Sequence, residues 1–338
     1  MNPKQYMKRS LELALLGKGR VSPNPLVGAI IVKGNKIIGE GYHCKAGEDH
    51  AEIIALKNCR ESPRRATIYV NLEPCCHYGK TPPCVDAIIK AGINKVVIAV
   101  RDPNPVVNGN GIKIMKENKI EIEEGILEKE AKELNKIFFK YIVSKTPYII
   151  LKAALTLDGK IATRSFDSKW VSCDESREMV HKLRADVDAV LVGKNTIMKD
   201  NPQLTSRLKE RKSPLRLVLG SKQGIPSHFH IFNNDAETIF LGEKVNLKQK
   251  LQELGEQEIT SILVEGGSEV FTQFITKKLV DEFYFFITPK ILGDEQAISF
   301  IHNQNTERIK EALELTFTEV ISIGTDIVVR GRYKHDLE

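Results

Sequence analysis

Residues 50–55 read HAEIIA and residues 74–84 read PCCHYGKTPPC, which places two histidines, three cysteines and a glutamate in two short clusters. Such clusters are either ordinary buried thiols and surface imidazoles, or a metal site with a carboxylate working beside it. The second reading constrains the fold, because its parts sit on different elements. His50 and Glu52 open a helical pattern, AEIIALKNC. Cys75 follows a strand pattern, TIYVNL (67–72), at the edge where open α/β sheets bind ligands. Cys84 follows Pro82-Pro83 at the start of the next helix, where the macrodipole favours a thiolate.

The neighbouring patterns extend this order. VGAIIVK (27–33) and KIIGEG (36–41) make a hairpin turning at Gly34-Asn35. A helix from about 50, the strand at 67–72, a helix from about 82, a strand KVVIAV (95–100) and a helix around 110–117 follow. A strand IEIEEG (120–125) and one charged helix from 127 to about 143 close an α/β layered domain. A boundary is predicted near SKTPY (144–148), where Pro147 stops a helix and a new apolar run, YIILKAALTL, begins. The 338 residues thus divide into 1–145 and 146–338, each of ordinary domain size. The second half supplies strands near 188–193, 216–219, 237–241, 260–265, 282–288 and 325–332, separated by helices such as DESREMVHKLRAD (174–186), and reads as a second α/β domain.

Composition excludes several classes. With 41% hydrophobic and 28% charged residues, the chain has the balance of a soluble globular protein, not a disordered or fibrous one. A net charge of +6 suits anionic small molecules, but the basic residues are scattered, with short groups such as RLKERK (207–212), so no nucleic-acid partner is expected. The N-terminal segment has helical spacing without the apolar core of a signal peptide, and no run of about 18 apolar residues occurs. No membrane partner is therefore expected, and a cytoplasmic location follows. In a reducing cytosol, six irregularly spaced cysteines are thiols or metal ligands before they are disulfides.

Residues two apart on a helix point about 200° apart, so His50 and Glu52 do not share a face in mid-helix. At a helix start, one can hold a metal while the other reaches round to a ligand of that metal. Glu52 is then the candidate proton carrier. One histidine and two thiolates leave a fourth tetrahedral position for water, the layout of an open catalytic zinc site. The zinc-deaminase pattern H-x-E followed by P-C-x-x-C is matched by His50-Ala51-Glu52 and Pro74-Cys75, but CHYGKTPP separates Cys75 from Cys84 where the short pattern has two residues. Adjacent residues of an extended segment point opposite ways, so Cys75 and Cys76 do not both reach one ion. Cys59, late in its helix, reads as a small core residue, and Cys173 has no visible partner.

SPNPLVGA (22–29), GYH (41–43), HAE (50–52), EPC (73–75), HYGKTPPC (77–84) and DPNP (102–105) together resemble the bifunctional deaminase/reductases of riboflavin biosynthesis. The long loop ending TPPC marks that family and sets it apart from cytidine and tRNA deaminases. The resemblance implies a cytidine-deaminase-like α/β/α domain in which His50, Cys75 and Cys84 hold Zn2+ and Glu52 shuttles the proton of a hydrolytic deamination. It also implies substrate contacts at Asn24, His43, Ala51, His77, Lys80, Asp102 and Asn104, with the cationic pair His77 and Lys80 suited to a ribose phosphate. Taken singly, each of these polar residues would equally serve on a surface or in a turn, and SPNP and DPNP are common turn sequences.

Residues 147–338 repeat none of the metal chemistry and carry no G-x-G-x-x-G fingerprint. TSILVEGG (260–267), running into SEVFTQFI (268–275), either offers backbone N–H groups and a helix start to a phosphate or makes a plain strand-to-helix turn. KAALTLDGKIA (152–162), SKWVS (168–172), HKLRADVDAVLVGKNTIMKDNPQLTSR (181–207) and LVEGG (263–267) resemble the reductase domain of the same family. That likeness implies a dihydrofolate-reductase-like α/β fold and NADPH as cofactor. By the same match, NADPH contacts Ala154, Trp170, Thr196, Asp200, Ser221, Gly267, Ser268, Glu269, Val270 and Phe271. The substrate contacts Lys152, Ser168, Arg184, Leu204, Arg207 and Glu265. Arg184 and Arg207 suit a phosphate, or are simply a helix charge and a loop charge. Lys152 and Asp200 are candidates for polar work near the sugar. The implied sequence is deamination of 2,5-diamino-6-ribosylamino-4(3H)-pyrimidinone 5′-phosphate, then NADPH-dependent reduction of its ribosyl group to a ribityl chain. The alternative is a deaminase whose C-terminal domain is non-catalytic. By analogy with family members, the chain is expected to form a homo-oligomer.

Overall fold

Along strand β1 (Gly28–Lys33), side chains alternate between two apolar layers: Ala29 and Ile31 pack to one side, Ile30 and Val32 to the other. A strand buried on both faces needs cover on both, and the first unit is built accordingly. In the computed structural model, which describes residues 1–79, 82–209, 211–302 and 305–334, the chain separates into two compact units, Met1–Lys145 and Thr146–Glu338.

In the first unit, β2 (Lys36–Tyr42) forms the hairpin with β1. Next to β1 on its other side lies β3 (Thr67–Leu72), antiparallel to it, followed by the parallel strands β4 (Lys95–Val100) and β5 (Glu121–Glu124). The order is β2-β1-β3-β4-β5. Helix α1 (Pro3–Leu15), opened by a capping box between Asn2 and Gln5, seats Tyr6, Met7 and Leu13 against Ile30 and Val97. The opposite face is covered by α2 (Ala51–Lys57), α3 (Cys84–Lys90) and α4 (Asn110–Glu117), through Ala55, Ile88 and Met115. The result is a three-layer α/β/α domain.

The single charged helix expected at 127–143 is two, α5 (Glu128–Leu134) and α6 (Lys136–Ser144), divided at Asn135. Asn135 is 2% exposed, and its amide holds both backbone groups of Leu26: Oδ1 accepts from the Leu26 N–H at 2.8 Å and Nδ2 donates to the Leu26 carbonyl at 2.9 Å. An asparagine that serves another segment's backbone competes with its own helix, which is why charge patterning did not show the break.

The second unit holds β6 (Tyr148–Thr156), β7 (Lys160–Ala162), α7 (Asp174–Asp186), β8 (Ala189–Gly193), α8 (Lys194–Asp200), β9 (Leu215–Leu219), β10 (Thr238–Gly242), α9 (Leu247–Glu256), β11 (Ser261–Gly266), α10 (Ser268–Thr276), β12 (Glu282–Thr288), β13 (Ile298–Ser299), β14 (Leu315–Ile323) and β15 (Asp326–Tyr333). Strands β10-β9-β8-β11-β6-β12 run parallel in that order; β15 joins antiparallel to β12, and β14 antiparallel to β15. This is a dihydrofolate-reductase-like arrangement, with β7 and β13 paired separately. Strand β14 escaped the sequence reading. A register shift between Phe317 and Glu319 breaks its alternation, and it is an edge strand with Phe317 and Val320 exposed. Among the described residues, no helix is long and apolar enough to cross a membrane.

Gly41 of β2 lies directly beneath α2. A Cβ there would come within 2.4 Å of the Ala55 nitrogen and 2.5 Å of the Ala51 carbonyl oxygen, main-chain atoms that cannot yield without moving the helix. Gly41→Ala is therefore expected to destabilise the protein by about 1–3 kcal/mol. The check is a lower urea midpoint at unchanged slope; an unchanged midpoint would show that α2 does not depend on this close approach.

Candidate active sites

Two helix starts converge on the C-terminal end of β3. His50 immediately precedes α2, Cys84 is the first residue of α3, and Cys75 follows β3 by way of Glu73 and Pro74. The His50 Nδ1 lies 3.5 Å from Cys75 Sγ and 3.3 Å from Cys84 Sγ, and the three donor atoms fall within 4.8 Å of one another. Among the described residues, this is the one His/Cys/Asp/Glu cluster close enough to hold a metal ion. The main-chain N–H of Cys84 donates to Cys75 Sγ at 3.3 Å.

The electrostatics fit a cation. The Cys84 thiol, the His50 ring and that N–H together hold the Cys75 thiol down at about 4, against its burial. Sharing with Cys75, together with burial, pushes the Cys84 thiol well up. One thiolate therefore forms readily, while the second needs a positive charge beside it, which Zn2+ supplies. Glu52 is 3% exposed, and burial, with Cys75 adding, lifts its carboxyl to about 7. It accepts from the Cys84 thiol, so it sits against a sulfur of the cluster rather than in the helix's solvent face.

The remaining first-half residues frame this centre. His43, 2% exposed, donates from Nδ1 to the Asp49 carbonyl at 3.1 Å, so its Nε2 accepts from the Asn24 amide at 3.0 Å. Burial lowers its pKa, which keeps the ring neutral. The His43 ring meets the His50 ring edge-on at 5.4 Å between centroids. Ala51 is buried in the first turn of α2. Asp102 follows β4, and its Oδ1 accepts from the Asn104 N–H at 2.8 Å. His77 lies half-buried in the loop between the two cysteines; Lys80 falls outside the described residues. Cys76 packs towards the α2–α4 side core and Cys59 does likewise. Cys173 finds partners in Ser176 Oγ and the Ile323 carbonyl, each at 3.3 Å.

Glu73 is a residue that the sequence reading left without a role. At 3% exposure, its carboxylate accepts from the N–H groups of Gly109 (3.0 Å), Ile112 (3.3 Å) and Asp102 (3.3 Å). It thereby joins the metal turn to the Asp102 loop and the start of α4. The available signal was a glutamate closing an apolar strand, a position where a charge persists only if main-chain donors meet it.

In the second unit, a cavity of about 1360 Å³ opens at the carboxyl ends of the parallel strands β6, β8, β9 and β11. Lys152, Ala154, Ser168, Trp170, Arg184, Thr196, Asp200, Leu204, Arg207, Glu265 and the Gly267–Phe271 turn all line it. Ser221 stands behind this lining, its Oγ bonded to Lys194 (3.3 Å) and Glu243 (2.7 Å), both of which do line it. The sequence reading missed His181, Lys194 and His302; His302 Nδ1 lies 3.0 Å from Ser268 Oγ.

Arg184 departs from the simple picture of a phosphate clamp. Its Nε and Nη2 hold Glu265 in a two-point ion pair at 2.6 and 2.8 Å, and Nη1 donates to the Thr205 carbonyl at 3.3 Å. The fork is spent on a buried carboxylate, because leaving Glu265 unpaired at that depth would cost more than any gain from a clamp. Against its own burial, Glu265 is held below the usual carboxylate range by Arg184 and Lys152. Burial lowers Lys152, with Glu265 opposing. Arg207 stays exposed at the rim.

Fold and site thus define a class: a zinc deaminase domain joined to a reductase domain with a nucleotide-sized cavity. Residues 1–100 match the model of the cytidine and deoxycytidylate deaminase zinc-binding region, and residues 147–329 match that of the RibD C-terminal domain. The chain is 42% identical to the riboflavin biosynthesis protein RibD of Aquifex aeolicus, over 96% of this chain and 97% of that one. A diaminohydroxyphosphoribosylaminopyrimidine deaminase/5-amino-6-(5-phosphoribosylamino)uracil reductase from Thermotoga maritima superposes with TM-score 0.90 at 40% identity, and Acinetobacter baumannii RibD with 0.91 at 35%, each covering 98% of both chains. The chain belongs to the RibD family, the bifunctional deaminase/reductases of riboflavin biosynthesis. It is accordingly a zinc-dependent hydrolase and an NADPH-dependent oxidoreductase, and a non-catalytic second domain is not favoured.

Asp102 gives this site a pH signature. Burial, with Glu73 adding, raises its carboxyl from 3.8 to about 6. Below about pH 4 the group is protonated both folded and unfolded, so burial carries no penalty. Above about pH 6 it is ionised in both, and the folded state bears the full desolvation cost. Asp102→Asn is expected to stabilise the protein by about 1–3 kcal/mol above pH 6, fading as pH falls towards 4. Urea unfolding across this range decides it; a variant-to-parent difference independent of pH would contradict the assignment.

Proposed function

We propose that the first unit deaminates 2,5-diamino-6-ribosylamino-4(3H)-pyrimidinone 5′-phosphate and that the second reduces the ribosyl group of the product with NADPH. The observation that carries the first half is the meeting of His50 Nδ1, Cys75 Sγ and Cys84 Sγ with Glu52 buried against them. His50, Cys75 and Cys84 would hold Zn2+, which when bound supplies a water brought close to neutral pKa. Glu52 would take a proton from the attacking water and pass it to the departing nitrogen of the amine-bearing ring carbon, so that overall water enters and ammonia leaves. Asn24 and the neutral His43 orient the pyrimidine. Asp102 and Asn104 add further polar contacts, and His77 with Lys80 receives the phosphate.

In the second unit the nicotinamide supplies the hydride. Ring opening moves the glycosidic N–H proton to the ring oxygen, and hydride with one proton then saturates the resulting C=N bond at C1′. Lys152, which feels the charge of Glu265, and Asp200, bonded to Ser168, are the candidates for this proton traffic. Arg207 receives the phosphate, while Arg184 fixes Glu265. The Gly267–Phe271 turn, Ala154, Trp170, Thr196 and Ser221 take the cofactor, and Leu204 packs on the substrate. The free cysteines and the small-molecule chemistry support a cytoplasmic place. A homo-oligomeric state is part of the same proposal.

Mass spectrometry of products from zinc-loaded protein, with and without NADPH, tests both halves. Loss of the amine in both tubes, with a two-hydrogen gain only where NADPH is present, is expected. Deamination without that gain would refute the reductase half, and an unaltered substrate would refute the substrate assignment. Glu52→Gln should keep its zinc, lose deamination by about 10²–10⁴-fold, and still reduce the deaminated intermediate supplied to it.

A further inference from the structure

Among the described residues, Arg216 is the largest fully buried side chain, at 0% exposure. It sits on β9, next to the sheet edge, opposite Val190 on one side and Thr238 on the other. Its sheet neighbour Leu217 turns into the apolar core, whereas the Arg216 guanidinium meets loops on the opposite face. A charge at this depth is retained only when hydrogen-bond acceptors surround it.

Those acceptors are mostly main chain. Nε donates to the Gln203 carbonyl at 2.9 Å; Nη1 to the carbonyls of His230 (3.2 Å), Asn233 (3.4 Å) and Ala236 (3.1 Å); and Nη2 to Asn233 Oδ1 at 2.9 Å. One planar fork therefore ties residue 203 to the segment 230–236. The same two stretches meet again where the His230 N–H donates to Asn201 Oδ1 at 2.8 Å.

The segment so held, 201–207, is one that a free chain would not choose. Asn201, Leu204 and Arg207 all have left-handed backbone, with φ of 41°, 55° and 56°, and none is glycine. Three such residues among seven persist only when the surroundings over-determine them. Gln203, Leu204 and Arg207 line the reductase cavity, with Arg207 at its rim.

We infer that Arg216 is a positioning residue for the reductase: without touching either ligand, it holds the left-handed 201–207 loop in the shape that presents Leu204 and Arg207 to the phosphorylated sugar. The inference rests on the reductase reading above for its kinetic consequence, but not for its structural one. Lysine cannot replace the fork, since a single ammonium presents no planar set of donors to four separated carbonyls.

The test combines hydrogen exchange with steady-state kinetics on full-length Arg216→Lys and Arg216→Gln. Amide exchange over 203–207 should rise about tenfold or more while strands β8 and β11 stay protected. The KM for the deaminated pyrimidine should rise about tenfold, with kcat and NADPH affinity changed by no more than about threefold. Exchange over 203–207 equal to the parent would overturn the inference whatever the activity. Exchange rising in β8 and β11 as well, with NADPH affinity lost in step, would overturn it too, by making Arg216 a general structural residue. Failure of the parent enzyme to reduce any substrate would instead count against the reductase reading, and the exchange result would still decide the role of Arg216.

Discussion

Two thiols and an imidazole nitrogen within 4.8 Å of one another cannot all take their metal-binding form without a cation among them. With both sulfurs ionised the cluster repels itself; with one protonated it holds a single negative charge against Glu52. The opposite displacements of Cys75 and Cys84 express that tension. Much of the first unit serves to keep these atoms together. Burial of β1 and β3 on both faces fixes the sheet, and the missing side chain of Gly41 lets α2 lie close enough to bring His50 and Glu52 in. Glu73 anchors the metal turn to the loop that carries Asp102 and Asn104. Burial that would be a liability for an isolated carboxylate is what places Glu52 near neutrality beside the sulfurs.

The second unit meets a related problem with charges of its own. Its cavity also opens at the carboxyl ends of parallel strands, and it too is organised by buried charge. There the compensation is mutual. Glu265 is neutralised by Arg184 and Lys152, and Arg216 is neutralised in effect by oriented carbonyl dipoles. Such groups contribute little net stability, yet each fixes where a neighbouring loop or carboxylate must be. Polar positioning of this kind suits a reaction in which the cofactor carries the difficult chemistry and the protein supplies geometry.

Much of this was legible in the sequence, for identifiable reasons. TIYVNL and KVVIAV form β3 and β4 over the residues expected, and the helix DESREMVHKLRAD is α7, because the strands are short, nearly continuous apolar runs and all three segments are bounded by clear breaks. The metal cluster was legible because His-x-Glu, Pro-Cys and Pro-Pro-Cys each lie at an element boundary. What was not legible depends on long-range pairing. Asn135 breaks a helix to serve Leu26, more than a hundred residues away. The β14 edge strand hides its alternation behind a register shift. Glu73 and Arg216 look like ordinary charges until the main-chain groups around them are known, and the sequence leaves Arg184 open between a phosphate clamp and a plain helix charge, with nothing in it to show the pairing with Glu265.

The central proposal is that His50, Cys75 and Cys84 would hold a single zinc ion through one nitrogen and two sulfurs. Zinc K-edge X-ray absorption of the purified holoenzyme measures this directly. The account predicts two sulfurs at about 2.3 Å and two lighter atoms at about 2.0–2.1 Å, one of them the His50 nitrogen. A shell of three or four sulfurs would make the site closed, with Cys44, Cys59, Cys76 or Cys173 recruited to it, and would contradict a hydrolytic role for this centre.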